Sequence, residues 1–393
     1  MLLFGVCLVL GLAVPPGEVE RGSIGAEGRP NIILIVTDDL DVASASKVPS
    51  LEGYIADEGL TFDNAFVTYP LCCPSRATIL TGQYPHNHLV RSNGPPRGGF
   101  ETFRELGRER STMATWLDEA GYETALFGKY LNGYGSQGRD HIPPGWDEWY
   151  GTVGTTQLNQ NGQLVTYEAD THLNDALSGL AQDFVRRQEQ KDTPFFLYIA
   201  THAPADPSLR HGSLYEGLQV PRTPSFNEAD VSDKPEWVRN LSLDPKEVKH
   251  LDGLYRDRLR TMAAVGEMTG GLLRSLEETG KLDNTYLVLT SDNGYHMGHH
   301  RLELGKQAPY EEDIRVPLMI RGPGVPAGSS RDEMVLNNDF ASTFADLAGF
   351  PPPASVDGRS FASLLDERHG NDPASWRTAF EIRHFDDKRR PGL

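Results

Sequence analysis

The segment Tyr69-Pro70-Leu71-Cys72-Cys73-Pro74-Ser75-Arg76-Ala77-Thr78-Ile79-Leu80-Thr81-Gly82-Gln83-Tyr84-Pro85-His86-Asn87-His88 holds the densest run of reactive side chains in the chain. Cys72 is a nucleophile by type. Pro74 suits the first turn of a helix, and Ala77 and Leu80 carry that helix to a stop at Gly82. A side chain at the start of such a helix faces free N–H groups and the positive end of the helix dipole, which favour an anionic substrate. Taken alone, the same residues also describe a buried cysteine pair ahead of an ordinary capped helix.

Four further polar groups stand where strand-like runs end. Asn31 to Thr37 (NIILIVT) runs into Asp38-Asp39, and Thr124 to Phe127 into Gly128-Lys129. Pro194 to Ala200 (PFFLYIA) runs into Thr201-His202, and Thr285 to Thr290 (TYLVLT) into Ser291-Asp292-Asn293-Gly294. In an open parallel sheet, ligands bind beyond the carboxyl ends of the strands. Each group has an ordinary explanation by itself: a helix cap, a hydrogen-bonded scaffold histidine, a turn. Together with Cys72 they point to one site.

The elements that must hold these groups alternate between apolar runs and helical patterns. That alternation implies an α/β fold with a large, mostly parallel sheet sandwiched by helices. A helix is expected through Pro49, Leu51, Ile55 and Ala56, and another around Met113, Leu117 and Ala120 with Ser111 as its cap. Leu173 to Phe184 has helical spacing, Leu251 to Leu276 reads as a long helix, Pro317 to Ile320 as a strand, and Asp339 to Leu347 as a helix. Pro207 to Lys246, rich in Pro, Ser and Asp, reads as a surface excursion near the substrate entrance.

At 393 residues the chain suits one large domain with an appended subdomain. Its formal net charge of -18 excludes non-specific binding to nucleic acid or to an anionic membrane. An anionic small substrate is compatible, provided that positive potential is concentrated by a few Lys and Arg and by a metal ion. The 3 cysteines are too few for a disulfide framework. Leu2 to Val14 is a continuous apolar run, the length of a signal-peptide core and too short to span a bilayer. Residues 1–20 are therefore read as a signal peptide and the protein as exported, although no Lys or Arg precedes the run.

The Cys72-x-Pro-Ser-Arg core resembles the sulfatase signature, in which the first cysteine is oxidised to formylglycine, whose hydrated aldehyde attacks the sulfur of a sulfate ester. The resemblance extends from Arg29 to about Arg383. It is strongest to the branch containing N-acetylglucosamine-6-sulfatases, through Arg29 to Asp41 (RPNIILIVTDDLD), Cys72 to Asn87, Gly128-Lys129-Tyr130-Leu131-Asn132, Tyr310 to Pro317 and Arg321-Gly322-Pro323-Gly324. It implies that Asp38, Asp39, Asp292 and Asn293, completed by the formylglycine from Cys72, bind one divalent cation. Hard oxygen ligands suit Ca2+, the family's usual ion, or Mg2+. It implies further that Arg76 helps to position the formylglycine and that Lys129 and Lys306 neutralise the sulfate oxygens. His202 and Lys306 are the candidates to protonate the departing oxygen. The implied partners are a sulfated sugar or aryl sulfate and a formylglycine-generating enzyme.

Two departures accompany the resemblance. Many arylsulfatases carry a His two residues after the Lys of the Gly-Lys motif, where this chain has Leu131; the base of the elimination step is then unassigned, with His296, His299 and His300 as candidates. The implied domain covers 29–370, and 371–393 reads as the start of a curtailed or truncated C-terminal subdomain whose first strand is Ala379 to Arg383. Two other functions compete: a phosphodiesterase or phosphonate monoester hydrolase of the same superfamily, and a non-catalytic binder of sulfated glycans if Cys72 is not matured.

Overall fold

The computed structural model describes residues 28–168, 171–204, 211–366 and 375–384. The expected signal peptide, and the Lys388-Arg389-Arg390-Pro391 tail, lie outside the described residues. A sheet of 10 strands forms the centre. Five parallel strands make its middle: Thr285–Ser291, Asn31–Asp38, Phe195–Pro204, Glu123–Gly128 and Glu148–Val153, in that order. Leu318–Arg321 adds antiparallel to Thr285–Ser291 and leads through Leu60–Phe62 to the edge strand Ser329–Arg331. At the other edge, Gln157–Gln160 and Gln163–Thr166 fold back antiparallel.

Every residue of Asn31–Asp38 is buried, because alternate side chains enter two separate cores. Ile32, Leu34 and Val36 pack with Phe196, Tyr198, Phe340 and Phe344 on one face. Ile33 and Ile35 pack with Leu197, Ile199, Leu177, Leu259 and Met262 on the other. Each such side chain contributes about 1.5–3 kcal/mol through its removal from water, and this anchors the strand ends that carry the polar groups.

Several local expectations change. Thr112, not Ser111, caps the helix Met113–Glu119, in a reciprocal arrangement with Thr115, while Ser111 Oγ accepts from Trp116 Nε1 at 3.1 Å. The long helix is Pro245–Glu278, because Asp244 and Glu247 form a capping box around Pro245. The strand expected to end at Ala200 continues through His202 to Pro204. No strand covers Ala379 to Arg383; this segment instead stacks Phe380 on Phe66, with ring centroids 4.8 Å apart, and joins the main body through Arg383 N donating to Thr68 O at 2.8 Å. Among the described residues no helix is long and apolar enough to cross a membrane.

Candidate active site

The two central strands Asn31–Asp38 and Thr285–Ser291 deliver carboxylates side by side. Asp39 leaves its strand with φ 70°, a conformation rare for a residue with a Cβ. Its backbone is fixed from two sides: its N–H donates to Asp292 Oδ1 at 3.1 Å, and its carbonyl accepts from Arg258 Nη2. Asp292 N donates in turn to Thr37 O at 3.1 Å, joining the two strand ends.

The helix Cys72–Thr81 points its first turn at these carboxylates, and all of its residues are buried. Cys72 Sγ donates to Asp38 Oδ1 at 3.4 Å and lies 3.7 Å from Asp39 Oδ1. Lys306 Nζ stands 2.6 Å from the same sulfur and contacts the Asp39 carboxylate. One turn on, the fully buried Arg76 donates through Nε to Asp292 Oδ2 at 2.8 Å and through Nη1 to Lys129 O at 2.9 Å. Lys129 Nζ donates to both oxygens of Asp38 at 2.7 Å. Lys129 can stand there because Gly128 has φ 110° and no side chain: a Cβ would lie 1.9 Å from Ala200 O. Asn293 Nδ2 donates to Asp39 Oδ1 at 2.8 Å, and its buried Oδ1 has no hydrogen-bond partner among the described residues.

Charge governs this cluster. Burial pushes the Cys72 thiol well above its usual range, and Asp292, Asp38 and Asp39 add to that shift against the opposing Lys129. Burial also raises the Asp292 carboxyl, with Arg76 only partly offsetting it. Asp38 goes the other way: burial works against its charged form but is outweighed by Lys129, Arg76 and Lys306, which hold it far below the carboxylate range. Lys306 is held protonated, the cost of its burial being exceeded by the attraction of Cys72, Asp39 and Asp38.

Eight of the nine residues that the resemblance assigns to the metal, the nucleophile, the sulfate or the leaving group thus meet in one network: Asp38, Asp39, Cys72, Arg76, Lys129, Asp292, Asn293 and Lys306. Four of them, Asp38, Asp39, Cys72 and Asp292, bring ligand atoms within 4.8 Å of one another. The ninth, His202, is fixed by hydrogen bonds of 3.1 Å from its N–H to Asn174 Oδ1 and between Nε2 and Thr152 Oγ1. Leu131 packs in the core. His299 is kept neutral chiefly by burial and accepts from Met297 N at 3.2 Å, whereas His300 stacks on Tyr310 and meets Glu228 at 2.8 Å. Sequence reasoning missed Arg258, which also covers the Tyr295 ring at 4.3 Å, and gave no role to Asp313, which meets His296 Nδ1 at 2.7 Å. Arg258 sits in a helix with no motif around it. Asp313 lies inside the Tyr310 to Pro317 segment, but its spacing from His296 carries no recognisable signal.

The sulfatase family model matches residues 30–350. The chain belongs to the sulfatase family. Human N-acetylglucosamine-6-sulfatase is 34% identical over 372 residues, which cover 89% of this chain and 66% of the human protein. An extracellular sulfatase, a SULF-1 homolog of Drosophila melanogaster, is 37% identical over 91% of this chain and 33% of its own length. This sulfatase-family chain thus spans about a third of the fly relative and two thirds of the human one. Among solved structures, a protein in complex with its substrate D-glucosamine-2-N,6-O-disulfate superposes with a TM-score of 0.73 at 26% identity, covering 91% of this chain and 84% of that one. The phosphonate monoester hydrolase of Agrobacterium radiobacter shares the fold, with a TM-score of 0.69 at 22% identity over 89% of this chain and 79% of its own.

Proposed function

We propose that this protein hydrolyses sulfate monoesters of a sulfated sugar, with N-acetylglucosamine-6-sulfate as the favoured substrate type and Cys72 as the residue matured to formylglycine. One observation carries the reading: Cys72 Sγ heads a buried helix within contact of Lys306, Asp38 and Asp39. The names of the human relative and of the ligand in the solved neighbour favour a 6-sulfated glucosamine.

The donor set fits a divalent cation. Asp38, Asp39 and Asp292 offer carboxylate oxygens within one cluster, and the unpartnered Asn293 Oδ1 adds a fourth hard oxygen. Calcium is the expected ion and magnesium the alternative. The three carboxylates are matched by three cations, Arg76, Lys129 and Lys306, so a divalent ion leaves the site net positive, as an anionic ester requires. When bound, the ion supplies that charge and polarises the oxygen carried by the matured side chain. Formylglycine, in which an aldehyde oxygen replaces Sγ on Cβ, supplies a hydrate that acts as nucleophile.

The other side chains do the remaining work. Lys129 and Lys306 hold the sulfate oxygens, and Arg76 fixes Asp292 and the backbone of Lys129. His202, steadied by Thr152, or Lys306 itself donates the proton that a sugar alcohol needs to leave. A formylglycine-generating enzyme is the maturation partner, and the protein is exported. Mass spectrometry of the peptide containing Cys72, with rates on N-acetylglucosamine-6-sulfate, 4-nitrophenyl sulfate and 4-nitrophenyl phosphate, tests the reading. Aldehyde at Cys72 and preference for sulfate support it. Preference for phosphate turns it into a phosphoesterase, and an unmodified, inactive Cys72 protein that retains glycan affinity turns it into a binding protein.

A further inference from the structure

The segment that delivers Lys306 has its own support. His296–Met297 pairs antiparallel with Leu304–Gly305, which sets His296 opposite Gly305, the residue before Lys306. His296 is 1% exposed, and its Nδ1 lies 2.7 Å from Oδ1 of the fully buried Asp313. The other carboxylate oxygen, Oδ2, accepts from Ala308 N at 2.7 Å. The carbonyl of Asp313 accepts from Gly294 N at 2.8 Å. One buried residue is thus bonded to Ala308 after Lys306, to the strand partner of Gly305 before it, and to the turn that follows Asp292 and Asn293. The ring of His296 fills the space that Gly305 leaves open: with φ 149° and no side chain, Gly305 admits an imidazole whose Nε2 would be 3.3 Å from a Cβ there. Gln307 N closes the far side by donating to Pro70 O at 3.1 Å, two residues before Cys72.

We propose that Asp313 and His296 are positioning residues that set Lys306 against Cys72. They act through the backbone of residues 304–308, not by touching substrate. The sulfatase reading above gives Lys306 its task, and the proposal rests on it only there. Asp313 makes three bonds outside its own short helix: to Ala308, two residues after the lysine whose ammonium stands 2.6 Å from Sγ, to His296, which pairs with the residue before that lysine, and to Gly294. A buried carboxylate that lost its histidine donor would be left with unmet hydrogen-bonding capacity, and the hairpin would be free to shift. A displacement of order 1 Å in a catalytic group costs about 10²-fold in rate.

The test compares His296→Leu, His296→Asn and Gly305→Ala. Asparagine keeps an N–H near the place of Nδ1 and lacks anything at Nε2. His296→Leu and Gly305→Ala should each lower kcat on 4-nitrophenyl sulfate by about 10–100-fold, with a smaller change in KM, while His296→Asn restores kcat to within about tenfold of wild type. Hydrogen exchange on the protein with unmodified Cys72 is the second reading, and His296→Leu should speed exchange at residues 304–308 while leaving the melting temperature of the main body nearly constant. His296→Asn as inactive as His296→Leu would overturn the proposal by assigning the chemistry to Nε2. Unchanged exchange and unchanged kcat would overturn it as well. If wild type hydrolyses neither ester, the functional reading fails, and exchange at 304–308 still decides whether the support exists.

Discussion

The ammonium of Lys306 stands 2.6 Å from Sγ of Cys72, although 234 positions separate the two residues in the chain. Neither is held by its immediate neighbours alone. Cys72 is set by a helix running into the core, and Lys306 by a hairpin tied to the end of a central strand. The contact exists only when the whole sheet is in place, so substitutions read out the architecture as well as the chemistry.

Cys72→Ala should abolish turnover, and Cys73→Ala should preserve it. Cys73 is fully buried, its thiol is pushed up to about 12 mainly by burial, and its N–H is used by Asn93 Oδ1 at 2.9 Å. Cys73→Ala should therefore cost about 1 kcal/mol in stability, seen as a lower melting temperature, with the aldehyde still found on the Cys72 peptide. The reverse pattern of activities would remove the assignment.

Asp38→Asn or Asp292→Asn should weaken cation binding. Each removes an anionic oxygen from the cluster, and Asp292→Asn also weakens the pairing with the buried Arg76 guanidinium. Excess chelator should reproduce the loss of activity in wild type, and metal analysis of the purified protein should find a divalent ion. Full activity in chelator with no metal present would rule the site out.

His202→Ala should separate two kinds of ester. A nitrophenolate leaves without a proton and a sugar alcohol does not, so the sulfated sugar should lose roughly 10²-fold or more and the aryl sulfate much less. Thr152→Val, which removes the hydroxyl 3.1 Å from Nε2, should produce a weaker version of the same selectivity. Equal losses on both substrates in a folded mutant would make His202 a sulfate-binding group.

His88 predicts how stability depends on pH. Burial, with help from Arg108, lowers its pKa to about 3, and the ring is bound to Thr78 Oγ1 and Val90 N, both at 3.0 Å. A folded value below the unfolded one means that the unfolded chain binds the extra proton. The contribution is intact above about pH 6.5 and is lost as pH falls toward 3, at ~1.4 kcal/mol per unit within that window. Melting temperature should fall between pH 6 and 4, and His88→Gln should flatten that slope.

The strand ends and the nucleophile helix were legible because their signals are local. Five consecutive buried apolar residues, Ile32 to Val36, just before Asp38 can hardly be anything but a central strand, and Asp339–Leu347 has the bounds expected of it. The hairpin Gln157–Thr166 was missed although Asn161-Gly162 marks it: both residues take positive φ, 51° and 89°, as a tight hairpin turn requires, but the flanking strands are too polar to stand out. The extra turns at the start of Pro245–Glu278 were also written locally, in Asp244-Pro245 and Glu247. The pairing of His296 with Asp313 has no local sequence signal, since it depends on a two-residue strand and a one-turn helix 17 positions apart being folded together.

All ten residues of the helix Cys72–Thr81 are interior, and Cys72 itself is 4% exposed. On the reading proposed above, a second enzyme must oxidise this side chain, and it can reach it only before the strands close around it. Ripening and folding then run against one another in time, and a molecule that folds first keeps its cysteine. A protein purified with mixed cysteine and aldehyde at position 72 should hold that ratio indefinitely once folded, while slower folding, at lower temperature during synthesis, should raise the aldehyde fraction.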